Sequence, residues 1–86
     1  MSIKTGQQAT TTSAVALPAG TFTRGPVVFK APKGNAAAIE IGASGVTTGT
    51  GFVLDPGDSV SLNVESLASI YLIGANTTDH LTWIGL

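Results

Sequence analysis

The chain has 86 residues, no cysteine and a formal net charge of −1. A chain of this length should form one domain with a thin core, since it removes only about 60–65% of its unfolded surface from water. Without cysteine it lacks disulfides and a Cys/His zinc site, so association with other copies is the expected source of extra stability. Charged residues are only 10% of the chain, which predicts a surface that tends to associate.

Charge and hydropathy exclude several classes of protein. Lys4, Arg24, Lys30 and Lys33 are too few and too scattered for a nucleic-acid surface. No apolar run approaches the ~18 residues that cross a bilayer, and the N-terminus lacks the apolar core of a secretory signal. We therefore expect no nucleic-acid or membrane partner. All five acidic residues follow the four basic ones, a division that is either chance or a basis for head-to-tail contact between copies.

Residues 1–14 are polar and rich in Thr, Ser, Gln and Ala. They contain too little apolar material to pack a helix or to sustain a buried strand. We expect an extended N-terminal arm, followed by a single β domain over residues 15–86. The arm is either a frayed terminus or a segment that lies over a neighbouring molecule, with Ile3 as its apolar anchor and Lys4 beside it.

Short apolar runs that end at turn residues predict strands in the rest of the chain. The predicted strands are 15–17, 21–24, 27–31, 37–41, 52–54, 60–64, 70–73 and 81–86. Together they indicate an all-β fold, a small antiparallel β-sandwich or barrel of about 6–8 short strands. Tight turns separate the strands between residues 46 and 86, which predicts an antiparallel meander. The alternation of Val60, Leu62 and Val64 with polar residues predicts a strand with one buried face.

The glycine-rich segment 42–51 invites a phosphate-binding interpretation. It has no closing Lys-Ser or Lys-Thr pair, its glycines do not fit the dinucleotide spacing, and no helix follows it. We interpret these glycines as residues that permit tight turns and bulges. Asn76-Thr77-Thr78 fits a glycosylation sequon, but without a secretory signal we interpret it as an Asx-type turn.

No group of residues supports catalysis or metal binding. His80 follows Asp79, but the sequence has no nucleophile elbow, and a lone histidine at the start of a strand is typical of a turn or edge residue. One histidine and five scattered carboxylates do not make a metal site. We therefore predict a protein that is not an enzyme and has no cofactor, metal or catalytic residue.

The last two predicted strands carry apolar residues on both faces, whereas a small sandwich buries only one face of each sheet. Either the N-terminal segments or another subunit must cover the second face. Tyr and Trp are enriched where proteins meet, which favours another subunit. The candidate subunit-interface residues are Tyr71, Ile73, Trp83, Ile84 and Leu86.

Several turn and strand motifs carry a resemblance to a known family. They are Leu17-Pro18-Ala19-Gly20 with Arg24, Gly34-Asn35, Ile39-Glu40-Ile41-Gly42, the segment 45–62, Ile70-Tyr71-Leu72-Ile73-Gly74-Ala75 and Leu81-Thr82-Trp83-Ile84. Over about residues 15–86 the chain resembles small virion proteins of tailed bacteriophages, in particular capsid decoration or cement proteins.

The resemblance implies a structural protein on the surface of the phage capsid. It would be made in the host cytoplasm, assemble as a homotrimer and bind the major capsid protein where capsomers meet, with Ile3 and Lys4 in a capsid-binding arm. A tail, fibre or head-to-tail component would use the same fold in a different symmetry. From another class, a carbohydrate- or host-surface-binding module would use Trp83 and Tyr71 as stacking platforms.

Overall fold

A computed structural model describes residues 3–18, 20–22, 26–64 and 66–86. Over these ranges the chain forms eight strands and a short 3₁₀ helix, which confirms the all-β prediction. The strands are β1 (Lys4–Ala9), β2 (Val15–Ala16), β3 (Val27–Lys30), β4 (Ile39–Gly42), β5 (Phe52–Leu54), β6 (Ser59–Leu62), β7 (Tyr71–Gly74) and β8 (His80–Gly85); the 3₁₀ helix is Leu67–Ser69. The first two residues of the predicted arm, Ala19, and residues 23–24 of the predicted strand 21–24 lie outside the described residues.

The strands form two four-stranded sheets, β1-β8-β3-β6 (sheet I) and β2-β7-β4-β5 (sheet II), and pair in antiparallel fashion. The pairs β1–β8, β2–β7, β3–β6 and β4–β5 are nested one inside the next. The chain is thus one long hairpin whose tip lies between β4 and β5. Two further pairings, β3 with β8 and β4 with β7, fold this hairpin into two layers. This order is that of a jelly roll, the two-sheet form of an eight-stranded β-sandwich.

The predicted meander over residues 46–86 is wrong, because β5, β6, β7 and β8 alternate between the two sheets and none pairs with the next. The turn after β5 carries the chain across to the other sheet. There the Ala31 N–H donates to the Asp58 carbonyl at 2.9 Å, and the Gly57 N–H donates to the Ala31 carbonyl at 2.7 Å. Turn residues mark where a strand ends, but burial of its apolar face against the opposite sheet determines its partner.

The core lies between the two sheets and is built from alternate residues of the strands. Its fully buried large side chains include Val27, Phe29, Ile39, Leu54, Leu72 and Leu81. The strand predicted at residues 60–64 forms over Ser59–Leu62, but its apolar face is not fully covered. Val60 and Val64 are half-buried against the core, and Leu62 is exposed, because β6 is an edge strand of sheet I.

The N-terminal segment differs from the expected arm, because Lys4–Ala9 forms β1 and pairs along β8. Gly6 lies opposite Trp83, and a Cβ on Gly6 would come within 2.6 Å of the Trp83 ring. The glycine thus leaves room for the indole, which is 7% exposed. An edge strand paired through its backbone needs few apolar side chains of its own, so the hydrophobic pattern did not reveal it. The sandwich therefore begins at Lys4 rather than at residue 15.

A buried polar cluster joins the β3–β4 loop to the β7–β8 loop at one end of the sandwich. Asn76 Oδ1 accepts hydrogen bonds from the backbone N–H groups of Thr78 at 3.0 Å and Asp79 at 2.9 Å, which confirms the predicted Asx-type turn. The Asn35 amide donates to the His80 carbonyl at 2.9 Å and accepts from the His80 N–H at 3.1 Å. Asn35 thus extends the pairing of β8 beyond the sheet.

Asp79 is the charged centre of this cluster and is almost fully buried. Its carboxylate accepts the Ala36 N–H at 2.7 Å, the Ala37 N–H at 3.2 Å and the Asn76 amide at 3.0 Å. The hydrogen bond from Ala36 lowers the pKa of Asp79 below its ordinary value; burial opposes this shift, while Asn76, Ala37 and the nearby His80 lower it further. A carboxylate held in its charged form by backbone donors stabilises the fold only while it is ionised.

Candidate interaction groove

Part of the core is left uncovered between the edge strands β5 and β6. Here the two sheets leave an apolar groove of about 340 Å³, which we call the edge groove. Its lining residues are Ile41, Gly42, Ala43, Phe52, Val60, Leu62, Ser69 and Ile70. None of these described residues carries a charge, so the groove suits an uncharged apolar group rather than an ion or a nucleotide.

The strand register explains why large apolar side chains reach the surface at this edge. Val15, Leu72, Ile41 and Phe52 are cross-strand neighbours in one row on the inner face of sheet II. Leu72 and Ile41 are buried and Val15 is half-buried, but Phe52 is on the outermost strand and remains 57% exposed. The edge groove is therefore an open continuation of the core.

Only part of the predicted subunit interface is accessible. Trp83 and Ile73 are buried within the chain itself, and Tyr71 and Leu86 are half-buried. The N-terminal segments were one of the two candidates to cover the second apolar face of the last strands, and β1 lies against Trp83. Of the five candidates, Ile84 alone is a large exposed apolar side chain, at 45% exposure.

Ile84 lies on the outer face of sheet I, away from the edge groove. Its neighbours in the same cross-strand row are Thr5, Val28 and Ser61. Val28 is half-buried, so an apolar pair occupies the middle of a row whose ends carry hydroxyl groups. An apolar centre with a polar rim is the usual anatomy of a protein interface, although this one is small.

The two residues of the predicted binding arm are in different environments. Ile3 precedes β1 and is 68% exposed, the highest exposure of any large apolar side chain described. The Lys4 ammonium donates to the Thr21 carbonyl at 2.7 Å and lies 5.8 Å from the centre of the Phe22 ring. Lys4 is therefore engaged with its own chain, and Ile3 is the freer of the two.

The glycine-rich segment wraps over the outer face of sheet II next to the edge groove. Gly45, Gly49 and the later Gly57 have positive φ angles of 88°, 94° and 95°, as the interpretation of these glycines as turn residues predicts. The carboxylate of Glu40 accepts the N–H groups of Gly49 and Gly51. This role of Glu40 was not predicted from the sequence.

Sequence reasoning missed Phe52 and Leu62 as surface residues. Both belong to apolar runs that predict strands, and both point towards the core side of their sheets. Only the pairing order places them on two edges that open to the same side. The weak signal available in the sequence was the shortness of the Phe52–Leu54 run, because edge strands are often short.

The described residues contain no group of three or more His, Cys, Asp or Glu side chains that could hold a metal ion. Among the same residues, no helix is long and apolar enough to span a membrane. Comparisons with protein-family models, with curated proteins and with solved structures found no match to this chain.

Proposed function

We propose that this protein is a non-enzymatic structural component of a phage particle, a capsid cement protein that attaches to the shell through its edge groove. The edge groove carries the proposal, because it concentrates Phe52 and Leu62 at one accessible edge without a charged residue in its lining. Large exposed apolar patches on a small domain are typical of surfaces that bind other proteins.

Two further observations support a structural role. The motifs of residues 15–86 resemble small phage virion proteins, and the strand order is that of a jelly roll, an architecture frequent in viral capsid proteins. Lectins and cupins share this architecture, so the topology alone does not select a function. A sugar-binding module was expected to stack sugars on Trp83 and Tyr71, but Trp83 is buried and Tyr71 is half-buried. A tail or fibre component would use the same groove at another position on the particle.

The direct test is to mix the purified protein with empty capsids that lack it and to image the particles by electron cryo-microscopy. Density at capsomer junctions, with the edge groove against the shell, is the expected result. Density at the tail or the head-to-tail junction would favour the alternative component. Absence of any density on the particle would contradict the proposal.

Replacing Phe52 with alanine should weaken attachment to the shell by about tenfold or more, as expected for an aromatic anchor in a pocket. Its exposure means that the free energy of unfolding should change by less than about 1 kcal/mol. Attachment is measured by co-sedimentation with capsids, and stability by urea denaturation. Val53→Ala is the matched control, because Val53 is the next residue and 51% exposed but lies on the opposite face of β5. Equal losses in both variants would mean that the edge groove is not the attachment site.

For the proposed homotrimer, Ile84 is the most accessible of the candidate interface residues. Ile84→Ser should raise the concentration at which trimers dissociate by about tenfold, because it places a hydroxyl in the centre of the small apolar patch. Light scattering coupled to size-exclusion chromatography measures this concentration. Thr82→Ser, two residues earlier on the same outer face, should leave it unchanged. A protein that is monomeric at all concentrations would contradict the trimer.

A further inference from the structure

We propose that Glu40 positions one wall of the edge groove by holding the segment 43–51, here called the glycine loop, with its carboxylate. Glu40 lies in the middle of β4, on the outer face of sheet II, and is half-buried. It is the only charged residue in the four strands of that sheet. The relevance of this positioning to attachment rests on the proposed role of the groove.

The Glu40 carboxylate binds two backbone N–H groups at the end of the glycine loop. The Gly49 N–H lies 3.0 Å from both carboxylate oxygens, and the Gly51 N–H lies 3.0 Å from Oε1. Hydrogen bonds to an ionised acceptor are roughly twice as strong as neutral ones. Backbone N–H groups that converge on one point form an anion-binding concavity, or nest. Here the N–H groups of Gly49 and Gly51 form the nest, the intervening Thr50 N–H donates to the Thr47 carbonyl, and the anion is a side chain of the same protein.

The path of the loop depends on glycine at these positions. Gly49 has a φ of 94°, which side-chain-bearing residues rarely adopt. A Cβ on Gly51 would lie 2.9 Å from the Cβ of Glu40 and from Cγ2 of Val46. Val46 is buried, so it packs the middle of the loop against the same glycine that the carboxylate holds. The loop is therefore held at Gly51 both by the Glu40 carboxylate and by the apolar contact with Val46.

The fastened end of the loop leads directly into the edge groove. Gly51 is followed directly by Phe52, which lines the groove. At the other end of the loop, Gly42 and Ala43 also line the groove. A shift of the Gly51 backbone must therefore move the start of β5 and the Phe52 ring. Ile41, the neighbour of Phe52 in the core, remains paired with Leu72 on β7. A shift of the Gly51 backbone can therefore change the groove without unfolding the sandwich.

The experiment removes the carboxylate and then returns it from solution. Glu40→Ala should leave the nest empty and weaken binding of N-phenyl-1-naphthylamine, an uncharged apolar fluorescent probe, by about tenfold, the effect of losing one hydrogen bond to a charged acceptor. Excess sodium acetate, compared with sodium chloride at equal ionic strength, should restore most of the binding. The amide resonances of Gly49 and Gly51 should move with the same acetate dependence. A general loss of stability would not be reversed in this way.

Glu40→Gln is the matched control. Its amide keeps one acceptor oxygen and fills the same space, so probe binding should fall less than in Glu40→Ala and should not respond to acetate. Unchanged binding in Glu40→Ala, or lost binding that acetate does not restore, would overturn the proposal. So would an equal response of both variants to acetate, since the acetate would then act elsewhere.

Failure of the proposed function would look different. If the wild-type protein bound the probe but Phe52→Ala did not alter capsid attachment, the groove would lose its attachment role. The acetate dependence of probe binding and of the Gly49 and Gly51 resonances would still decide whether Glu40 positions the groove wall. If the wild-type protein failed to bind the probe, the edge groove would not be a binding site, and the proposal that Glu40 positions its wall would be overturned.

Discussion

Deletion of residues 1–9 is expected to destabilise the protein by about 4 kcal/mol or more, a large part of the stability of a domain of this size. The deletion removes β1, so β8 loses its outer partner and the Trp83 ring loses the surface that Gly6 provides. Uncovering a large aromatic side chain alone costs roughly 3 kcal/mol. Urea denaturation measures the loss, and Trp83 emission should shift to longer wavelength as water reaches the indole.

A point substitution separates the contact with Trp83 from the loss of the strand. In Gly6→Ala the added Cβ would lie 2.6 Å from Cζ2 of Trp83, so the strand or the ring must move at a cost of about 1–3 kcal/mol. Gln7→Ala, which changes the outer face of the same strand, should cost less than about 0.5 kcal/mol.

If the protein without residues 1–9 kept wild-type stability but lost attachment to capsids, the segment would instead be the expected arm.

Replacing Asp79 with asparagine is expected to give the second large effect, lowering Tm by roughly 10 °C at neutral pH. Asparagine has the same shape as aspartate, but one of the two carboxylate oxygens is replaced by an amide NH2 group, which cannot accept a hydrogen bond from a backbone N–H. Either the Ala36 N–H or the Ala37 N–H and the Asn76 amide then lose their acceptor. A buried donor without an acceptor is costly because its hydrogen bond to water is not replaced.

The pH dependence of stability follows from the same group. The folded state lowers the pKa of Asp79, chiefly through the hydrogen bond from Ala36. Its contribution is therefore complete above the ordinary carboxyl pKa of about 3.9 and is lost as the pH falls through the lower folded-state value. Thermal melts between pH 2 and 6, as a rough range spanning that titration, should show a steeper acid loss for the wild type than for Asp79→Asn.

Asp58 provides the control carboxylate. It is exposed in the turn after β5 and accepts one backbone N–H, that of Asp55, at 3.1 Å. Asp58→Asn retains an acceptor oxygen at an exposed site, so Tm should change by no more than about 2 °C. Equal acid sensitivity of wild type and Asp79→Asn would show that other groups control the acid transition.

Strand positions were readable from the sequence because each apolar run ends at a residue that breaks pairing. The runs at Phe52–Leu54 and Ser59–Leu62 were found in nearly the right places by this signal. Which strand pairs with which was not readable, because every short alternating run offers the same backbone donors and acceptors. The polar β1 was missed for the converse reason: its place in the sheet depends on pairing with β8 and on the space that Gly6 leaves for Trp83.

The candidate site was less predictable than the fold. An excess of apolar surface was expected from the two apolar faces of the last two strands. Of the five residues to which it was assigned, Ile84 is exposed, but Trp83 and Ile73 are buried by the chain itself. Phe52 and Leu62, which line the edge groove, are exposed although their alternation is that of ordinary core positions. Exposure at the edge of a sandwich depends on strand order, and strand order is a property of the whole chain.

The nested strand pairs have a consequence for the order of folding. The tip of the long hairpin, β4 with β5, joins residues 11 to 15 positions apart, whereas β1 and β8 join the two ends of the chain. Closing a long loop costs more chain entropy than closing a short one, and folds dominated by distant contacts form slowly. Pairing should therefore propagate from the β4–β5 tip outward, and β1 should be the last strand to dock. Until it does, the Trp83 indole lacks the cover that Gly6 provides, so the rate at which its fluorescence shifts should report the final step of folding.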